Sequence, residues 1–252
     1  MRTRLSGVSL RRSEDAYVDQ LFTEVTALGA PLIAARFPRA YLDVNRAPGE
    51  IDPQMFEAPL KLPVEQASSR VSAGLGVIPR VVRDGAEIYR GKLDPREAEE
   101  RLSRLHRRYH AALASLVRET RAQFGAAVVI DCHSMPSAAG APDIVLGDRY
   151  GTAASHLLLR RAEQAFQASC FSVGRNVPYA GGYTTHVYGE PGRGIHALQI
   201  EINRALYLDE ERIEPLPTFE RIRAGLMMAV RDLVSLDANA LRVQRGFKFA
   251  AE

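Results

Sequence analysis

The sequence lacks an apolar run long enough to cross a membrane, and its first residues contain no apolar segment of the kind found in a secretory signal. It has only two cysteines, Cys132 and Cys170, which are not spaced like a metal-binding pair. Free thiols are typical of a reducing cytoplasm, the location we expect. No internal repeat or low-complexity block is present. These absences argue against membrane, disulfide-scaffold and repeat proteins.

The charge composition shows little excess of either sign. Lys and Arg number 33 against 30 Asp and Glu, which leaves a net charge of +3. The densest groups of Arg fall on predicted helices with acids nearby, and no basic stripe is interleaved with aromatic residues. We therefore expect no nucleic-acid or membrane partner. A small molecule is the expected partner, and the sequence leaves an oligomer open.

The composition is that of an ordinary globular protein, with 252 residues, 46% hydrophobic and 25% charged. Strand-like and helix-like segments alternate, and no linker divides them. The pattern predicts one domain over residues 1–252, an α/β fold of three layers with a mostly parallel mixed sheet, and a loose tail at 237–252. Strands are predicted at 31–35, 40–44, near 128, at 143–146 and 197–202; helices are predicted at 13–28, 94–124, 152–168 and 217–236.

The most informative segment is VVIDCHSMP, residues 128–136. An apolar strand ends there in an acid and a histidine, and open α/β sheets place their chemistry just past such strand ends. His133 is a candidate metal ligand or general base, with Asp131 orienting its ring from the same strand face. A structural histidine is the alternative. A nucleophilic Cys132 is a poor alternative, because adjacent strand residues point to opposite faces.

Two further polar groups are associated with predicted strands: one lies within a strand and the other directly follows one. Glu201 lies within the apolar run LQIEI, either on the polar face of an edge strand or as a carboxylate whose raised pKa suits general base and acid catalysis. Asn45 and Arg46 follow a predicted strand. They form either a plain turn or a guanidinium site for a substrate carboxylate.

Taken together, these segments resemble the N-formylglutamate amidohydrolases, from about Leu10 to about Leu236. The segments that carry the resemblance are 10–15 (LRRSED), 41–46 (YLDVNR), 131–136 (DCHSMP), 143–148 (DIVLGD), 176–185 (NVPYAGGYTT) and 196–204 (HALQIEINR). That family is similar in fold to the zinc carboxypeptidases and the aspartoacylase-like deacylases. The resemblance implies a Zn²⁺ that polarises an amide carbonyl and activates water, while a carboxylate transfers the proton.

The resemblance also implies roles for individual residues. His133 would be a zinc ligand, with either Glu14 or Asp15 as the acidic ligand. Glu201 would be the general base and acid. The carboxylate of an N-formyl or N-acyl acidic amino acid would bind Arg46, supported by Asn45, with Arg175 and Tyr183 as further contacts; His186 and His196 are spare candidates.

The sequence departs from the family pattern at its start. Family members carry a Pro-His-Ser-Gly segment upstream of the Ser-Glu-Asp motif, and its histidine is an expected zinc ligand. The twelve residues before Ser13 contain no histidine. We therefore expect weak zinc binding, and a relative that binds a small carboxylate or a partner protein without catalysis is the alternative function.

Overall fold

The computed structural model describes residues 3–65, 68–82 and 85–242. Its helices are α1 (Gly7–Arg11), α2 (Val18–Leu21), α3 (Ser69–Ser72), α4 (Pro95–Arg101), α5 (Arg107–Phe124), α6 (His156–Ala168), α7 (Tyr183–Tyr188), α8 (Phe219–Val234) and α9 (Ala238–Leu241). Its strands are β1 (Ala127–Met135), β2 (Ile144–Gly147), β3 (Val173–Arg175), β4 (Ile195–Asn203), β5 (Leu208–Asp209) and β6 (Glu214–Pro215). Within this part of the chain, no helix is both long and apolar enough to span a bilayer.

The main sheet has four strands in the order β1-β4-β2-β3. Strand β1 pairs in parallel with β4, and β2 pairs in parallel with β3, whereas β4 and β2 are antiparallel. The sheet is therefore mixed, with parallel pairing in the majority. The register places His133 of β1 directly opposite Glu201 of β4.

Helices cover both faces of this sheet, which confirms the three-layer α/β/α fold. Even-numbered residues of β1 and β4, among them Ile130 and Ile200, pack into the largest core with α6 and α8. Odd-numbered residues at the beginning of both strands, such as Val129 and Ala197, pack with α5 and Tyr188 of α7. Because side chains alternate along a strand, His133 and Glu201 face the α5 and α7 side.

A second core lies outside the sheet. It is formed by the irregular chain from residue 40 to residue 93 together with α4, and it includes the buried residues Leu42, Ile51, Ile78 and Ile88. This core supports the chain segment that contains Asn45 and Arg46. The site residues therefore come from two separately packed regions, the sheet and the irregular segment.

The helix predicted over 94–124 is present but is interrupted. It begins as expected, with Pro95 in the first turn and the side chain of Asp94 accepting a hydrogen bond from Arg96 N, and it ends at Gly125 with φ of 80°. A π-helical turn, Leu102–His106, separates α4 from α5. The sequence pattern did not predict this turn, which shifts the phase of the two helical halves.

Two strand predictions were wrong. Residues 31–35 form no strand, and residues 38–42 form a turn in which Tyr41 N and Leu42 N donate to Pro38 O. Leu42 is buried in the second core without a neighbouring strand to pair with. An apolar run was mistaken for a strand because burial in an irregular core leaves the same signature.

The helix predicted from Ser13 begins later, at Val18 of α2. Tyr17, directly before α2, adopts a positive φ of 64°, so the helix does not continue back to Ser13 through this residue. Asp15 is diverted into hydrogen bonds with residues of β1 and so does not cap a helix. A 3₁₀ segment, Thr23–Leu28, then completes the stretch up to Gly29.

The tail prediction was wrong for its first residues. Helix α9 places Leu241 in the main core, and Leu241 O accepts a hydrogen bond from His196 Nε2 at 2.9 Å. Arg242 donates to Phe124 O. Residues 243–252 of the predicted tail lie outside the described residues.

We predict that Phe166→Ala lowers the free energy of unfolding by about 3–5 kcal/mol, because Phe166 is fully buried in the main core beside Phe171. Urea denaturation followed by circular dichroism measures this change. Met228→Ala, on the exposed side of α8, is the control and should change stability by less than about 0.5 kcal/mol. Equal losses in both variants would contradict the assigned core.

Candidate active site

His133, at the end of β1, lies between two carboxylates. Its Nδ1 is 2.9 Å from Asp15 Oδ2 and its Nε2 is 3.0 Å from Asp131 Oδ1. Burial alone would lower the pKa of His133, but the two carboxylates outweigh it and raise this pKa well above its ordinary value. His133 is therefore held in one orientation by Asp131, as the sequence predicted, and by Asp15.

Asp15, and not Glu14, is the acid that reaches His133. Its carboxylate also accepts hydrogen bonds from Arg39 Nη1 at 2.9 Å and from Ser134 N at 2.9 Å. Burial raises its pKa, but Arg39 and His133 more than offset this and hold the pKa of Asp15 well below its usual range. The carboxylate of Glu14 instead faces Arg11 at 3.4 Å.

Glu201 lies on the strand next to His133 and on the same sheet face. Strand β4 lies between β1 and β2, so the interpretation of Glu201 as part of an edge strand is wrong. Burial raises the pKa of Glu201 to about 7, and the side chain is only 7% exposed. Gln199 Nε2 donates to Glu201 Oε1 at 2.8 Å. A carboxyl with this pKa exchanges protons readily near neutral pH.

Asn45 reaches the same cluster from the irregular segment. Its Nδ2 lies 2.8 Å from His133 Nε2 and donates to Asp131 Oδ2 at 3.1 Å. Its Oδ1 accepts a hydrogen bond from Thr184 N of α7 at 2.8 Å. Asn45 thus joins three elements at one point and is more than part of a surface turn.

Arg46 is next to Asn45 and is partly engaged by the protein. Its Nε donates to Leu75 O and its Nη1 to Asn45 O, and Asp43 lies 3.7 Å away. Burial lowers the pKa of Arg46, although the group stays cationic. Its Nη2 makes no hydrogen bond with the described part of the chain and is the atom left for a ligand.

Tyr183 joins the site, whereas Arg175 does not. The ring of Tyr183 packs against His106 and His110, and its amide faces Asn45 O at 3.4 Å. Arg175 lies on the edge strand β3 and forms an ion pair with Glu163 of α6, on the opposite face of the sheet from Glu201.

The two spare histidines also lie apart from the cluster. His196 is buried at the start of β4, where its Nδ1 accepts a hydrogen bond from Ser155 N, the residue that caps α6. His186 is exposed on α7. Neither approaches His133, so neither serves as a further ligand beside it in this arrangement.

Sequence reasoning missed several residues that hold the cluster together. Arg39 bridges Asp15 and Asp43. Arg204 is buried, and it donates to Ser134 Oγ at 3.0 Å and to Glu14 O at 2.6 Å. In the sequence, Arg204 could have been found from its position directly after β4, where a cation faces the acid cluster. Nothing of this kind in the sequence pointed to Arg39.

The residues present do not fit a catalytic zinc site. Asp15 and His133 offer two adjacent donors, but within residues 3–65, 68–82 and 85–242 no three His, Cys, Asp or Glu side chains form a group that could hold a metal ion. Catalytic zinc sites use about three protein ligands and a water molecule. The carboxylate of Asp15 also already accepts hydrogen bonds from Arg39 and Ser134.

Comparison with known proteins gives consistent matches. A family model described as N-formylglutamate amidohydrolase matches residues 2–208. The N-formylglutamate deformylase of Pseudomonas aeruginosa is 29% identical over 207 residues, 78% of this chain and 71% of that protein. The N-formylglutamate deformylase of Pseudomonas putida is 27% identical over 242 residues, 92% of this chain and 84% of that protein.

Solved structures agree with these matches. The crystal structure of N-formylglutamate amidohydrolase from Ralstonia eutropha JMP134 has a TM-score of 0.86 and 33% identity, and the match covers 95% of this chain and 88% of that one. A gene product of Agrobacterium tumefaciens, Atu2144, shares the fold, with a TM-score of 0.61 and 21% identity over 94% of this chain and 82% of its own.

We predict that Asp15→Ala lowers the free energy of unfolding by about 3–5 kcal/mol, because it leaves Arg39 and His133 without a shared buried counter-charge. Glu14→Ala is the matched control. It removes only a partly exposed ion pair with Arg11 and should cost less than about 1 kcal/mol. Chemical denaturation at neutral pH compares the two, and a larger loss in Glu14→Ala would contradict the assignment.

Proposed function

The chain belongs to the N-formylglutamate amidohydrolase family, and from this we propose that it hydrolyses the amide of N-formylglutamate, or of a related N-acyl acidic amino acid. Its class is that of hydrolases acting on linear amide C–N bonds. The observation that carries the proposal is the family match over residues 2–208, which includes Asp15, Asn45, His133 and Glu201.

We assign the proton transfer to Glu201. In its ionised form, Glu201 accepts a proton from the water that attacks the formyl carbon, and it then donates this proton to the nitrogen of the leaving amino acid. The products are formate and glutamate. A carboxyl whose pKa is raised to about 7 by burial suits both steps, since neither of its protonation states is scarce at neutral pH.

The cations near Glu201 suit an acidic substrate. His133 is opposite Glu201 in the sheet, and Asp131 and Asp15 raise the pKa of His133. The Nη2 atom of Arg46 remains to bind a substrate carboxylate, and Tyr183 contacts the neighbouring Asn45. Arg175, occupied by Glu163, takes no part in this proposal.

The Zn²⁺ implied by the family resemblance stays a prediction. The donor set in the described ranges falls short of a zinc site, so no step above passes through a metal. The same shortage favours a second candidate function, the binding of a small carboxylate without turnover.

We predict that Glu201→Gln lowers kcat for formate release from N-formylglutamate by on the order of 10²–10⁴-fold, the usual contribution of a general acid and base. Thermal stability should not fall, because the substitution removes a buried charge. Glu214→Gln, on an exposed short strand, is the control with unchanged activity.

Assays with and without added zinc, on extensively dialysed protein, separate the two candidate functions. Turnover that Glu201→Gln abolishes supports the amidohydrolase. A folded protein that binds N-formylglutamate by calorimetry, yet releases no formate under either condition, supports the binding function. Wild-type turnover in Glu201→Gln would overturn the role of Glu201.

A further inference from the structure

Three hydrogen-bond donors lie along one face of the interrupted helix. Arg101, His106 and His110 are separated by five and then four residues. Four residues is the repeat of an α-helix face, and five is the repeat of a π turn. The π turn Leu102–His106 therefore brings Arg101 into line with the two histidines. We refer to Arg101, His106 and His110 as the donor row.

Each member of the donor row meets a backbone carbonyl of the segment that contains Asn45. Arg101 Nη1 donates to Tyr41 O at 3.2 Å. His106 Nε2 lies 2.9 Å from Arg46 O, and His110 Nε2 lies 2.8 Å from Val44 O. A carbonyl oxygen can only accept, so Nε2 carries the proton in both rings.

The histidines of the donor row are uncharged donors. Burial lowers the pKa of His106 and of His110. His110 Nδ1 lies 3.0 Å from the hydroxyl of Tyr188, which donates to His110 O at 3.0 Å. Irregular backbone buried against a helix requires side-chain donors for its carbonyls, because no strand supplies them.

The two carbonyls held by the histidines flank Asn45. Val44 O belongs to the peptide group that precedes Asn45, and Arg46 O belongs to the peptide group between Arg46 and Ala47. The two bonds therefore hold the backbone before and after Asn45 and restrict the direction of its side chain. The side chain of Asn45 is the one that contacts His133 and Asp131. The donor row is therefore joined through Asn45 to the cluster around His133.

We propose that His106 and His110 are positioning residues for amide hydrolysis, acting through Val44 and Arg46 to aim Asn45 at His133. This inference rests on the proposed function. No contact of either histidine with Glu201 or His133 is seen in the described structure, so their effect is transmitted through the backbone around Asn45, beside the ring of Tyr183 that packs on both. Arg101 anchors the beginning of the same segment.

The test compares leucine with glutamine at each histidine. His106→Leu and His110→Leu remove the donor, and misplacement of Asn45 by about 1 Å should reduce kcat/KM on the order of 100-fold, mostly in kcat. His106→Gln and His110→Gln keep an amide donor near the position of Nε2 and should restore most of the activity. Leucine variants with wild-type kcat/KM would overturn the proposal.

His196→Leu is the matched structural control. His196 is buried, as is His106, whereas His110 is half-buried. The Nε2 of His196 also donates to a backbone carbonyl, that of Leu241, far from Asn45. This variant should lose stability while its kcat/KM per folded molecule stays unchanged. The same kinetic loss in His196→Leu would mean that general destabilisation explains the effect, and would overturn the proposal.

Gly182→Ala disturbs Asn45 from the opposite side. A Cβ at Gly182 would lie 2.5 Å from both Nδ2 and Oδ1 of Asn45, and the φ of Gly182, −103°, is open to alanine. We expect a kinetic loss similar to that of the leucine variants. Unchanged kcat/KM in Gly182→Ala would show that the orientation of Asn45 is not required.

Hydrogen exchange gives a readout that does not depend on turnover. The amides of Asn45 and Arg46 are bonded to Asp43, and they should exchange faster in His106→Leu and His110→Leu, while those of β1 and β4 stay unchanged. If the wild type releases no formate, the proposed function fails, yet this measurement still decides the inference. Unchanged exchange at residues 44–47 would overturn it.

Discussion

The interaction on which the site depends is the burial of His133 between Asp15 and Asp131. An imidazolium removed from water is stable only if counter-charges accompany it, and each buried carboxylate needs donors of its own. Arg39, Ser134 and Asn45 supply these donors. The need for donors therefore extends from one ring to the chain before α2, the irregular segment and β1, and it explains why Asp15 does not form part of a helix.

The sequence predicted the sheet part of the site well. The run before His133 indicated a buried strand, and the register places Glu201 beside it as a buried carboxylate. These signals are local, since strand period and strand end are both visible in a few residues. The choice between Glu14 and Asp15 was not local, because it depends on which carboxylate faces a strand more than 100 residues away.

The irregular half was harder to predict. Leu42 was assigned to a strand because burial in an irregular core leaves the same apolar signature as a strand. Ile33 was assigned to one although the other residues of 31–35 are exposed. The π turn left no trace in the pattern of the helix, although it is this turn that brings Arg101 into line with His106 and His110. Arg175 was misplaced for a simpler reason: nothing in a three-residue edge strand says which face its cation occupies.

The existence of two cores has a consequence for how this protein tolerates change. Asn45 and Arg46 are supported by one core, and His133 and Glu201 by the other. Substitutions that repack residues such as Ile78 or Ile88, remote from any reacting atom, would shift one half of the site against the other. Drift within the irregular half can therefore retune the reaction while the sheet stays intact.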